Sequence, residues 1–214
     1  MSKYPHSAQM LERASLTLMQ IQSGYANKGI TLAQAALAGS HDFVAWNHYP
    51  AHDYVDSDSG YEFYYHAHDQ HDMPESEHGH FHLFYRNPTR PNRFIHLISI
   101  ALNTKGLPVR LFTTNEWVTG ESMVDAKQVL GAINRFTIRA QGRLAPIAKW
   151  LKAILTIYSA EIAQLITKRD KWIAEKLAKG SNRSFLLNNR KHHVLSECSI
   201  DLIQKLTFIS HNSM

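Results

Sequence analysis

The sequence predicts an α+β fold in which helices pack against a four-stranded antiparallel meander sheet. Apolar residues recur at helical spacing near both ends of the 214-residue chain, and between residues 60 and 115 the apolar period changes to two. The segments that separate the candidate strands are too short for a helical crossover. We expect a single domain over 1–214, with a helical N-terminal part at 1–40, the sheet at 60–115 and a helical C-terminal part at 120–210.

The N-terminal part contains two candidate helices. Residues 7–22 carry apolar side chains at helical spacing, and Ser7 is a suitable N-cap. A second helix, Leu32–Ala38, is expected to end at Gly39. Residues 41–60 are rich in Asp, Pro and aromatic residues and have no sustained period. We interpret them as an ordered loop that leads into the sheet.

Four candidate strands follow. They are Tyr61–His68, His78–Arg86, Arg93–Asn103 and Leu107–Thr114. Turn-forming residues such as proline, asparagine and glycine fill the links between them. Links of this length join neighbouring antiparallel strands, so a meander is expected.

The period returns to helical in the C-terminal part. One helix is predicted over Glu121–Arg139, and a long helix from Pro146 to Lys179, before Gly180. A last short helix is expected within residues 199–209. The apolar stripe of the long helix is typical of a surface that faces the core or a second copy of the chain, so a homodimer through this helix is one expectation.

Composition and charge limit the class of protein. The hydrophobic fraction of 44% is too high for a disordered chain. The formal net charge is +5, but Ala51–Ser76 holds seven acidic residues and no Lys or Arg. Nucleic-acid phosphates would be repelled there, so nucleic acid is not the expected partner.

Cysteine content and hydropathy exclude further classes. Cys198 is the single cysteine, which rules out an intramolecular disulfide and multi-cysteine zinc sites. No stretch approaches the ~18 apolar residues of a membrane span, and the N-terminus lacks a signal-peptide pattern. We therefore expect no membrane association and a cytoplasmic location.

The predicted sheet is rich in histidine. Because side chains alternate across a strand, His66 and His68 share a face with Glu62 and Tyr64. The equivalent residues of the next two strands are His78, His80, His82 and Phe84, and then Phe94, His96, Ile98 and Ile100. Hairpin loops centred near Met73 and Thr89 would pair His66 with His80 and His82 with His96.

Imidazoles that face each other across adjacent strands can bind one ion, because directly opposed Cβ atoms are ~5 Å apart. The predicted ligands of a divalent transition metal (Fe, Cu or Zn) are His66, His68, His80, His82 and His96. Three histidines would leave a position open for water or substrate, as a catalytic site requires. The candidate catalytic residues are Glu62, Glu77 and Tyr64, and Asp72 is a further candidate carboxylate.

Sequence reasoning therefore favours a metal-dependent enzyme with a mononuclear, His-rich site and a small-molecule substrate. We expect oxidation at iron or copper rather than zinc hydrolysis. The alternative is a non-catalytic metal-binding or sensing protein, whose four-ligand shell would be closed.

Parts of the sequence resemble three known families. "EHGHFHLF", followed by "HLISIALNTKG" and "LFTTNEWVTGE", resembles a family of bacterial proteins whose domain has no known function, and that resemblance implies no activity. "HFHL" also resembles the His-hydrophobic-His strand of single-strand DNA endonucleases and related transposases, which would make Tyr158 a nucleophile. "HAHDQHD" is similar to the first half of a cupin metal motif, but the second half is missing.

Overall fold

The computed structural model describes residues 6–40, 42–68, 74–87, 89–90 and 92–212. Within these ranges, six strands form one sheet in the order β1-β2-β3-β4-β5-β6, and all neighbours are antiparallel. The strands are β1 (Tyr49–Val55), β2 (Tyr61–His66), β3 (Gly79–Arg86), β4 (Phe94–Leu102), β5 (Pro108–Thr114) and β6 (Val194–Ser199). The α+β class is confirmed, and the four predicted strands are β2 to β5.

The prediction of four strands is wrong because the sheet has one further strand at each edge. β1 lies in the stretch interpreted as a loop, where Pro50 and a positive φ at Asp53 interrupt the alternation. Its register with β2 shifts between Tyr49 and Tyr54. β6 pairs with β5 after a long helical excursion of the chain, so no short link identifies it as a neighbour.

Eight α-helices and one 3₁₀ turn accompany the sheet in the described part of the chain. The helices are α1 (Ala8–Ala26), α2 (Leu32–Ala36), α3 (Glu116–Thr119), α4 (Ala126–Asn134), α5 (Ala145–Ile157), α6 (Ser159–Ala178), α7 (Arg183–Leu187) and α8 (Leu202–Asn212); the 3₁₀ turn is Gly142–Leu144. Ser7 caps α1 as predicted, since its side chain accepts a hydrogen bond from the backbone of Met10. No helix among the described residues combines the length and the apolar character needed to cross a membrane.

The helix predicted over Glu121–Arg139 is shorter than expected: it is α4 alone, and an extended segment separates it from the one-turn helix α3 before it. Gly120 ends α3 in the left-handed region with a φ of 68°, where glycine is favoured. Asp125 begins α4 by accepting a hydrogen bond from the backbone of Gln128. Between these caps, Glu121 turns into the protein and accepts a hydrogen bond from the backbone of His96.

The long helix predicted over 146–179 is divided at Tyr158. The backbone of Tyr158 (φ −101°, ψ 21°) leaves the helical region and separates α5 from α6. Neither Gly nor Pro stands at this point, so the sequence contains no breaker that would have indicated the division. The predicted apolar stripe is buried inside the same chain, because α5 and α6 contribute most of it to the hydrophobic core.

The core lies between one face of the sheet and the helices. The Phe81 ring packs 6.0 Å from the ring of Trp150 in α5, and the Tyr61 hydroxyl donates a 2.6 Å hydrogen bond to the carbonyl of Ala132 in α4. Both aromatic contacts involve the odd-numbered positions of β2 and β3. The even-numbered positions, which include the histidines, therefore face away from the core helices, as the sequence predicted.

Candidate metal centre

Three histidines of β2 and β3 converge on the face that points away from the core helices. His66 lies directly opposite His80, which confirms the predicted register, and His82 follows on the same face. One nitrogen from each ring lies within 4.8 Å of one nitrogen from each of the other two. All three side chains are buried, with exposed fractions of 2–8%. These three histidines could hold a metal ion.

The spacing of the nitrogens suits a common ion after a small rotation of the rings. Nε2 of His66 and Nε2 of His80 are 2.8 Å apart. Ligand nitrogens at 2.0–2.1 Å from a tetrahedral ion would be about 3.3 Å apart. The rings of His66 and His80 therefore need to separate by about half an ångström, which side-chain torsions can supply.

Burial keeps these imidazoles in the neutral, ligand-competent form. Desolvation, and after it the neighbouring His68 and His48, lower the pKa of His66 to about 3. The pKa values of His80 and His82 are also well below the ordinary value, first because of desolvation and then because of the other histidines. Neutral imidazole is the form that binds metal, so protons do not compete for these sites at neutral pH.

Ser99 orients the ring of His82. The hydroxyl oxygen of Ser99 lies 2.9 Å from Nδ1 of His82, and both residues are buried. Because Nδ1 has this partner, Nε2 is the nitrogen left for a metal. Partners of this kind fix the tautomer and the orientation of a ligand histidine.

The predicted pairing of His82 with His96 is wrong, because the hairpin loop is centred on Arg90 and not near Thr89, so that Arg86 faces Phe94 and Phe84 faces His96. Beyond that pair, His82 faces Ser99, so Leu97 is an extra residue in β4 and forms a β-bulge. Without the bulge Ile98 would share the face of His96, as predicted. With it, His96 lies on the cavity side, whereas Ile98 and Ile100, predicted to share its face, point to the core.

His96 contacts the candidate ligands without joining them. Its Nε2 lies 3.1 Å from Nδ1 of His82 and its Nδ1 lies 3.2 Å from the Thr114 hydroxyl. The group of three converging histidines does not include it. Behind it, desolvation raises the pKa of the Glu121 carboxyl to about 8, partly offset by the His96 backbone hydrogen bond and by Arg169. His96 therefore connects the site to a buried carboxyl that sequence reasoning missed.

Gly79 allows β2 and β3 to approach closely beside the site. A Cβ at this position would lie 2.6 Å from the backbone oxygen of His66 and 2.7 Å from the Tyr65 hydroxyl. That hydroxyl bonds Nδ1 of His78 at 2.7 Å. His78 thus lies with Tyr65, before β3 begins, and not with His80 as the strand prediction had placed it.

A cavity of about 740 Å³ opens in front of the three histidines. Its described lining combines aromatic, imidazole and polar side chains from five separate parts of the chain. The lining residues are Trp46, His48, Tyr64, His66, His68, Pro74, Glu77, His80, His82, Arg110, Phe112, Thr114, Trp117, Val118, Thr119, His193 and Val194. The histidines form one wall of a space large enough for a small molecule.

The comparisons with known proteins identify a family and nothing more specific. A family model described as a domain of unknown function, DUF6969, matches residues 12–200. The chain belongs to this family. The matched range includes the three converging histidines and all six described strands of the sheet, and it confirms the resemblance seen in the sequence. Neither the curated proteins nor the solved structures contain a match.

The carboxylates proposed from sequence are held by arginines in this DUF6969 chain. Glu77 lines the cavity and pairs with Arg110 through two hydrogen bonds of 2.5 and 2.9 Å. Glu62 accepts two hydrogen bonds from Arg86 and is not among the lining residues. Asp72 lies outside the described residues. The structure therefore brings Glu77, but not Glu62, to the cavity.

Tyr64 and His68, the other residues selected from sequence, both line the cavity. Tyr64 stacks on His48 with ring centres 3.8 Å apart, and burial raises the pKa of its hydroxyl well above the ordinary value. His68 stacks on Trp46 at 4.2 Å, with its ring centre 5.3 Å from that of His80. The two stacks form the wall beside the three histidines.

Several lining residues of this DUF6969 chain were missed by sequence reasoning. Arg110 and Phe112 alternate along a predicted strand, and a register between β4 and β5 would have placed them opposite Ala101 and Ser99. For His193 there was no signal, because the region that contains it is distant in sequence from the sheet. Trp117 was noted only as part of the resemblance.

Proposed function

We propose that the chain is a metal-dependent enzyme whose mononuclear centre is bound by His66, His80 and His82. One observation carries the proposal: three buried imidazoles converge at the wall of a 740 Å³ cavity. Three protein ligands on one side of an ion leave its remaining coordination positions directed toward the cavity. An open position is what a catalytic metal needs.

The cavity supports a small-molecule substrate. Its volume falls within the range of about 300–1,000 Å³ found for ligand pockets. Most of the described lining is aromatic or imidazole, with few groups that carry a formal charge. Such a wall excludes water around the metal and fixes the orientation of a bound molecule.

The carboxylates favour oxidation over hydrolysis. Zinc hydrolases commonly use a free carboxylate as general base. Glu77 is the one carboxylate among the described lining residues, and both of its oxygens are occupied by Arg110. An all-imidazole ligand set suits iron and copper as well as zinc. When bound, iron or copper would supply electron transfer, while the protein holds the ion and restricts access to it.

Two alternatives are less well supported. A closed structural or sensing site needs a fourth protein ligand, and the converging group found among the described residues has three members. A DNA endonuclease would need Tyr158 near the histidines. Tyr158 is 2% exposed and belongs to the core on the helical side of the sheet.

Metal content is the test of this proposal. The untagged protein, purified without added metal, should contain close to one equivalent of iron or copper by elemental analysis. The double variant His80→Ala/His82→Ala should contain almost none, because it loses two of three ligands. His66→Ala, which changes the other strand, should also lose the metal.

The matched control is His52→Ala/His211→Ala, which removes two exposed histidines that are not among the described lining residues of the cavity. It should retain the full metal content, and circular dichroism should show that every variant is folded. Stoichiometric metal in the His80→Ala/His82→Ala protein would reject the site. One equivalent of zinc alone in the wild type would reject oxidation in favour of hydrolysis.

A further inference from the structure

The charges around the three histidines define the kind of molecule that the cavity accepts. The three donors are imidazoles, which bind a metal in their neutral form. A divalent ion bound only by neutral ligands keeps its full positive charge. In a buried site such a charge attracts an anion much more strongly than in water.

The described protein groups around the cavity do not neutralise that charge. Glu77 and Arg110 are the charged side chains among the described lining residues, and they form an ion pair. Arg110 also binds Glu197 at 2.7 Å, so its guanidinium is held by two carboxylates. The arginine is therefore already satisfied, and the metal itself is the group that an incoming anion would meet.

Aromatic surfaces border the same space. Phe112 is 4% exposed and lies 5.1 Å from the ring of His80, at the back of the cavity. At the rim, Trp46 is 54% exposed although its ring stacks on His68. Its backbone has a φ of 70°, a conformation that costs free energy for a residue other than glycine and that recurs at binding sites.

We propose that the cavity binds a small aromatic monoanion whose anionic oxygen coordinates the metal and whose ring lies along the aromatic wall. The positive charge of the metal would lie in the same cavity as the aromatic side chains of Phe112 and Trp46. A neutral molecule of the same shape would gain the ring contacts but leave the metal charge uncompensated. A small anion without an aromatic ring would gain the attraction to the metal but not the ring contacts. This inference rests on the proposed metal centre.

The test uses protein loaded with cobalt(II), whose visible spectrum reports changes in its ligands. Benzoate, its neutral analogue benzamide and the small anion acetate are titrated separately near neutral pH. Benzoate should bind at least about tenfold more tightly than either of the others and should change the cobalt spectrum. Protein without metal should bind benzoate at least about tenfold more weakly than the cobalt protein.

Trp46→Ala tests the aromatic part. The substitution should weaken the binding of benzoate about threefold to tenfold, the range expected for loss of one aromatic contact. It should leave the affinity for acetate unchanged. Phe185→Ala is the matched control, because Phe185 is 71% exposed and does not line the cavity. It should change neither affinity.

The outcomes separate this inference from the metal centre. Failure of cobalt to bind before any ligand is added would overturn the proposed centre and this inference with it. If cobalt binds but benzamide matches benzoate, or if metal-free protein binds benzoate as tightly, the anion receptor is rejected while the metal centre stands. Equal loss of acetate and benzoate in Trp46→Ala would reject the aromatic wall.

Discussion

The two faces of the sheet are buried to similar degrees but differ in chemistry. On β3, Phe81 and Leu83 are fully buried against the helices, while His80 and His82 are 4% and 2% exposed on the cavity side. Burial of apolar side chains stabilises the fold, whereas burial of a polar atom without a partner costs free energy. Nδ1 of His80 is such an atom, but so are Nε1 of Trp150 and the hydroxyl of Tyr158 in the core. What distinguishes the cavity face is therefore its three converging imidazoles, which function explains better than stability.

The largest expected effect separates stability on one face from binding on the other. Phe81→Ala should lower the free energy of unfolding of the metal-free protein by about 3–5 kcal/mol, because it leaves a cavity in the core. His80→Ala should cost clearly less, since its imidazole has an unpartnered nitrogen, yet it should abolish metal binding. Urea denaturation and a metal competition assay measure the two quantities. A cost for His80→Ala equal to that for Phe81→Ala would make the histidine a structural residue.

Acidification should destabilise the metal-free protein, because the histidines on the cavity face are neutral in the folded state. Histidines whose folded pKa lies below the unfolded value of about 6.5 lose stability as the pH falls below that value, because the unfolded chain binds the extra protons. In the folded protein the pKa values of His66 and His96 are both about 3, and those of His80 and His82 are also lowered. Each should remove about 1.4 kcal/mol between about pH 7.5 and 5.5.

Glu121 acts in the opposite direction. Its folded pKa of about 8 means that its contribution to stability is lost as the pH rises from the unfolded value toward 8. Four histidines outweigh one carboxyl, so the net loss on acidification should be about 2–3 kcal/mol. In Glu121→Gln the loss between the same two pH values should be larger, as urea denaturation can show. A protein whose stability is constant over this range would contradict the neutral, buried state of the histidines.

A smaller effect is expected from one hydroxyl group on each face. Ser99→Ala removes the partner of His82 Nδ1 and should weaken metal binding about 10- to 100-fold. Ser196→Ala makes the same chemical change on the core side, where Ser196 bonds Thr113 at 2.8 Å. Competition with a chelator of known affinity should show no loss for Ser196→Ala. Equal losses in the two variants would point to a general effect on folding.

The core face was largely predictable from sequence. Alternating apolar residues and short links placed β2 to β5 to within two residues of their observed ends. The edge strands were missed for physical reasons: β1 has an interrupted register, and β6 finds its partner only after the helices have folded back. Local patterns carry little information about pairings between distant segments.

The site was predictable only as far as one hairpin. The pairing of His66 with His80 follows from the position of the turn and is observed. The pairing of His82 with His96 failed because the second loop is centred one residue later than predicted, and the extra residue Leu97 then turns Ile98 and Ile100 to the core. Residues such as Arg110 and His193 reach the cavity through the tertiary fold, which the spacing of histidines does not encode.

We have proposed that His66, His80 and His82 bind one metal ion. Anomalous diffraction from a crystal of the metal-loaded protein, recorded at the absorption edge of that metal, locates the ion directly. We expect one anomalous peak about 2.0–2.2 Å from one nitrogen of each of the three rings. A peak elsewhere in the molecule, or none between these rings when the crystals contain stoichiometric metal, would contradict it.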